Sequence, residues 1–232
     1  MASFHIHLLC WLSVALCISA QVYTGPGDPR LVEAITTDPP INRVSTSPGG
    51  RLFVPYARID GSTGPTVVEY NLTTNATTAY PDVRWNSYQP GDDPATAFVR
   101  INSQRIGPDG CLWLVDVGSP GFGQAVILPD GPKLIQVNVT TNEVQRVYPM
   151  GNVTRSVSLL DDVRFNLATG KAYLTDAGSP ALIVLDLGSG IARRVLDNDL
   201  STREYLPISA EGSLLTNAFP QGGFSFIYAD QL

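Results

Sequence analysis

A turn motif recurs at a fixed spacing of 60 residues, and that period constrains the fold more than any other feature of the chain. Ser47-Pro-Gly-Gly50-Arg-Leu-Phe-Val54 returns as Gly107-Pro-Asp-Gly110-Cys-Leu-Trp-Leu114. It returns again as Leu167-Ala-Thr-Gly170-Lys-Ala-Tyr-Leu174. An aromatic residue among aliphatics follows each glycine: Phe53, Trp113 and Tyr173. A glycine turn leading into such a run reads as a hairpin that delivers a buried strand.

The neighbourhood of each glycine repeats as well. Strand-like runs at 66–72, 133–139 and 181–187 each close on an Asn or Asp turn, and shorter ones follow at 77–80, 144–148 and 192–196. Alternating stretches at 42–47, 97–106 and 159–165 precede the glycines. Each unit therefore holds four antiparallel strands, and no segment reads as a helix. A β-sandwich also has many short strands, but it does not require a constant register. Repeated four-stranded units predict an all-β fold, a β-propeller with about three and a half blades encoded. The blades run over 41–96, 97–158 and 159–228, with a further one starting at 229–232. Arg30 to Thr36 reads as a strand ahead of the first blade. An incomplete ring would leave unpaired strand edges and invite self-association.

The first twenty residues stand apart. Leu8 to Ile18 is an almost unbroken apolar run, and Ser19-Ala20 supplies the small residues a signal peptidase requires. Residues 1–20 are read as a signal peptide and 21–232 as the mature, secreted protein, although the n-region lacks Lys and Arg. An uncleaved anchor is the competing reading; after cleavage no membrane association is expected. Four sequons fit the secretory route, at Asn71, Asn75, Asn138 and Asn152.

Scarce residues narrow the chemistry. Both histidines, His5 and His7, lie in the signal, and the mature chain keeps one cysteine, Cys111. Histidine-based triads, His-ligated zinc and an internal disulfide are excluded. A formal net charge of -6 argues against a nucleic-acid partner, which would need a basic stripe.

Several ordered motifs resemble the major royal jelly protein / Yellow family, in particular its microbial and fungal secreted members. They are Leu112-Trp-Leu-Val-Asp-Val-Gly118, Gly131-Pro-Lys-Leu-Ile135, Leu160-Asp-Asp-Val-Arg-Phe165 and Ala172-Tyr-Leu-Thr-Asp-Ala177. The resemblance covers roughly residues 31–232. It implies a six-bladed propeller nearly twice as long as this chain, which on that comparison looks truncated. Asp161 stands where the family often has Asn, and the paired cysteines of insect members are absent.

The repeat register also nominates a site. Eight residues before Gly50 and Gly110 stand Asn42 and Asn102; the third unit matches at Asp161, and Asp230 has the same local context near the chain end. These positions start the innermost strands and would ring one mouth of the channel. An oxygen-only ring suits a hard, calcium-like cation, with Asn102 and Asp161 as its ligands. Such a ring is similar to that of gluconolactonase-type propellers. Asn and Asp also bond backbone groups where strands begin. Asp116 and Asp176, in repeated Asp-x-Gly-Ser-Pro turns, are further ligand candidates, with turn capping the preferred reading. Asp162 beside Arg164 is either an acid–base carboxylate or an ion pair.

Three functional classes follow. The leading one is a secreted propeller that binds a small organic molecule in natural-product biosynthesis, as a non-redox cyclase or isomerase. The second is a non-catalytic binding or structural glycoprotein. The third is a metal-dependent, lactonase-like hydrolase.

Overall fold

The computed structural model describes residues 30, 32–56, 58, 62–121, 123–203, 206–218 and 224–226. The chain divides into two compact units, residues 1–34 and 35–232. The described residues of the first, 30 and 32–34, hold no strand, and all the sheets belong to the second.

Three four-stranded antiparallel sheets follow one another along the chain. The first contains β1 (Ser45–Thr46), β2 (Leu52–Pro55), β3 (Val67–Tyr70) and β4 (Thr77–Ala79). The second contains β5 (Ile101–Ile106), β6 (Leu112–Asp116), β7 (Lys133–Asn138) and β8 (Glu143–Pro149). The third contains β9 (Leu160–Asn166), β10 (Lys171–Asp176), β11 (Ala181–Asp186) and β12 (Ala192–Val195). Each meanders strictly in chain order, as propeller blades do. Among the described residues, helix is confined to two single 3-10 turns, Pro94–Thr96 and Leu200–Thr202.

The repeating glycines close the first hairpin of each blade with positive φ, +81° at Gly50, +76° at Gly110 and +61° at Gly170. Only a residue without Cβ takes that conformation freely, which explains the period. Side chains then alternate across each sheet. Leu112 and Leu114 of β6 join Phe53, Val67 and Tyr80 in a core between the first two blades. Trp113 and Val115, on the opposite face, pack with Leu160, Val163, Leu174 and Ile183 of the third blade. A central sheet buried on both faces explains why β6 is apolar almost throughout. Trp113 is the hub: its ring centroid lies 5.9 Å from Tyr148 and 4.8 Å from Phe165, and its Nε1 donates to Asp109. Burying each such large apolar side chain contributes about 1.5–3 kcal/mol.

Two expectations need correction. Residues 32–36 form no strand ahead of the first blade. Residues 209–226, assigned above to the tail of the third blade, instead hold two short hairpins. These are β13 (Ser209–Ala210) with β14 (Ser213–Leu214), and β15 (Thr216–Ala218) with β16 (Phe224–Phe226). The signal segment 1–20, Asp230 and the start of a further blade at 229–232 lie outside the described residues.

Candidate functional site

All three innermost strands carry the same irregularity. Ile41 faces Tyr56 while Ser45 faces Phe53; Ile101 faces Asp116 while Ser103 faces Val115; Leu160 faces Asp176 while Val163 faces Leu174. Each innermost strand thus holds one residue more than its partner, and the bulge falls at or beside Asn42, Asn102 and Asp161. A bulge re-aims a side chain away from its own sheet. Here it aims them at the next blade. Asn42 Nδ2 donates to Asn102 Oδ1 and to the Asn102 carbonyl, both at 3.2 Å. Asn102 Nδ2 donates to Asp161 Oδ1 at 2.9 Å and to the Leu160 carbonyl at 3.2 Å. The register derived from the repeat therefore identifies three residues that form one continuous polar string.

Oxygens of the string, Asn102 Oδ1 and Asp161 Oδ1 among them, are engaged by hydrogen bonds within it. Its one carboxylate, Asp161, receives the Asn102 amide and faces the Arg43 guanidinium, 3.8 Å away, which reaches from the first blade to the third. Among the described residues no three His, Cys, Asp or Glu side chains gather to hold a metal. A calcium site would need several more oxygens than these residues present. Asn102 and Asp161 act here as ties between blades.

Asp162, next in the chain, receives the guanidinium groups of Arg164 and Arg105 and the Val163 N–H. Burial pushes its carboxyl up, but these donors outweigh burial and hold it below the ordinary carboxylate value. The arrangement is an ion pair with two guanidinium groups.

Asp116 and Asp176 are fully buried. Asp116 accepts from the N–H groups of Val99, Arg100 and Gly118 at 2.9–3.0 Å, and from Lys133 Nζ at 2.7 Å. Asp176 accepts from the N–H groups of Leu159 and Ser179, from the Ser158 hydroxyl, and from Arg194 at 2.7 Å. Each clamps its own turn to the segment that leads into the innermost strand. Neither carboxylate reaches the surface, and the bonds each makes are those of a turn cap. Cys111 is buried as well, and burial, then Asp109, push its thiol up.

These clamps frame a cleft of about 380 Å³ on the same mouth, between the second and third blades. Arg100, Ser119, Gln124, Ala125, Val157 and Leu159 are among the residues lining it. Arg100 is only 8% exposed, and burial lowers its pKa against the pull of Asp116. Its N–H donates to Asp116 and its carbonyl accepts from Val117 at 3.0 Å, so the backbone is fixed on both sides. Its Nε donates to the Ser119 carbonyl at 3.1 Å. Sequence reasoning missed this residue, yet a signal existed. Two residues before Asn42, Asn102 and Asp161 stand Pro40, Arg100 and Leu159, so a charge occupies a slot that is otherwise apolar.

Residues 103–216 match the family described as major royal jelly protein. No curated protein sequence matches the chain. Among solved structures, one described as YCF48 bound to D1 peptide is 13% identical, with a TM-score of 0.45 over 74% of this chain and 44% of that chain. The extracellular domain of the hybrid two component system BT4673 from B. thetaiotaomicron is also 13% identical, with a TM-score of 0.42 over 66% of this chain and 16% of that one. The chain thus spans less than half the length of either structure.

Proposed function

Through residues 103–216 the chain belongs to the major royal jelly protein family, and from that premise we propose that it binds a small organic molecule in the cleft between its second and third blades. One observation carries the reading. The cleft has the volume of a small-molecule site, and it combines an apolar wall with a polar group held in place by the frame around it.

In the finer form of this proposal, the protein is secreted, bears glycans and serves natural-product formation. It would act on its ligand without redox chemistry, as a cyclase or isomerase, through shape and positioning. The carboxylates that frame the cleft support that form over one needing proton transfer, because Asp116 and Asp176 are both buried against cations. A non-catalytic binding glycoprotein would use the same cleft without turnover. Asn71, Asn75 and Asn152 are exposed and Asn138 is half-buried, so the sequons are open to modification.

A thermal-shift screen of neutral and acidic aromatic compounds tests the site, run on the full chain and on Ala125→Trp, which fills the cleft. Compounds that stabilise the parent and not the variant are expected. Equal shifts in both proteins, or none in either, would overturn the proposal.

A further inference from the structure

Arg100 places a cation where the fold does not require one. Desolvating a guanidinium is expensive unless its donors are paired. Here Nε is paired, to the Ser119 carbonyl, while the two terminal nitrogens make no hydrogen bond to the protein and are not sealed from solvent, and the side chain lines the cleft. The local charge is unbalanced too. Lys133 is buried beside Asp116 and fully engaged, by Asp116, the Pro94 carbonyl and the Gly131 carbonyl. Two buried cations therefore share one buried carboxylate, whose oxygens are already taken by Lys133 and three backbone N–H groups.

The third blade provides an internal control. There Asp176 holds the N–H of Leu159 as Asp116 holds that of Arg100, at 2.9 and 3.0 Å. Its cation Arg194 is shared with a second carboxylate, Asp197, and Arg155 completes the balance. The same clamp thus forms around an apolar side chain, with no surplus charge. An arginine in this slot is not a requirement of the fold.

We propose that Arg100 is an anion receptor, and that the cleft takes a monoanionic carboxylate with an apolar body. The inference rests on the cleft reading above and names the ligand class. A free guanidinium edge matches a carboxylate in a two-point, charge-assisted contact. One surplus positive charge calls for one negative charge. Ala125, Leu159 and the 66% exposed Val157 offer the apolar surface for the remainder of the molecule.

Calorimetric titration of the full chain with benzoate, benzamide and inorganic phosphate tests this. Benzoate should bind at one site, with benzamide and phosphate each at least tenfold weaker. Arg100→Leu, the side chain the third blade carries at this slot, should weaken benzoate at least tenfold while melting at or above the parent temperature. Arg100→Lys, which keeps the charge and loses the fork, should fall between. Unchanged benzoate binding in Arg100→Leu, or loss of binding together with a lowered melting temperature, would overturn the receptor role. Phosphate binding as tight as benzoate would overturn the ligand class. Benzamide equal to benzoate, with both lost in Ala125→Trp, would overturn the anion inference and leave the cleft reading standing.

Discussion

Asn102 donates its side-chain amide to Asp161 Oδ1 at 2.9 Å and to the Leu160 carbonyl at 3.2 Å, so one residue ties the innermost strand of the second blade to that of the third. Asn42 makes the equivalent tie from the first blade to the second. Neighbouring blades are therefore joined at the mouth by hydrogen bonds as well as by the apolar cores behind them.

Removing that tie should be felt as stability. Asn102→Ala loses two donated bonds and one accepted bond at a half-buried position, and is expected to destabilise the fold by about 1–3 kcal/mol. Asp161→Asn keeps an acceptor and loses only the half-exposed approach of Arg43, so less than about 1 kcal/mol is expected. Urea denaturation measures both. A neutral Asn102→Ala would show that the string follows the packing without supporting it.

Asp116→Ala should be far more damaging. It would leave Lys133, 1% exposed, without its counter-charge and free three backbone N–H groups in the interior. Breaking one side of a buried pair costs about 3–5 kcal/mol. The expected result is a large loss of denaturation midpoint, or no soluble folded protein.

The glycine of the Asp-x-Gly-Ser-Pro turn is equally constrained. At Gly118, φ is +70° and an added Cβ would lie 2.2 Å from the carbonyl carbon of Gly131; at Gly178 it would lie 2.1 Å from the Val157 oxygen. Gly118→Ala combines an unfavourable φ with a clash against backbone, and a destabilisation on the order of 2–4 kcal/mol is expected by the same denaturation measurement.

The pH dependence of stability follows from the shifted groups. Burial raises Asp162, but Arg164 and its other donors hold it below the ordinary value; Lys171 does so at Asp186 and Arg194 at Asp197. A carboxyl lowered by folding contributes fully above its unfolded value of about 4 and loses that contribution as pH falls through the folded value. Stability should therefore hold down to about pH 5 and decline below about pH 4. No described residue is a histidine, so none of them contributes a step near pH 6.5. At the alkaline end, burial pushes the Tyr80 phenol up to about 12. Its contribution is complete below about pH 10 and lost as pH rises toward the folded value. Denaturation midpoints across this range check both limbs, and Tyr80→Phe should flatten the upper one.

The sequence by itself determined the parts that depend on local chemistry. The glycine at every sixtieth position, the two-residue alternation and the Asn or Asp turns set twelve strands and their pairing order. The repeat register also aligned Asn42, Asn102 and Asp161, since residues at equal distance from equivalent turns occupy equivalent places in adjacent blades. What those side chains touch was decided only by tertiary structure. The one-residue bulge turns Asn102 toward Asp161 and away from its own sheet, and Arg43 reaches Asp161 only because the ring brings the first and third blades within range of a long side chain. Asp162 stands two residues from Arg164 in sequence, whereas Asp116 has no basic residue within ten positions. Packing seals Asp116 in the interior with Lys133, while Asp162 stays near the surface with Arg164. Arg100 shows the limit most clearly: a lone arginine before an apolar strand says nothing of its surroundings. Its burial and its cleft arise where Ser119, Gln124 and Ala125 of the second blade meet Val157, Leu159 and Gly178.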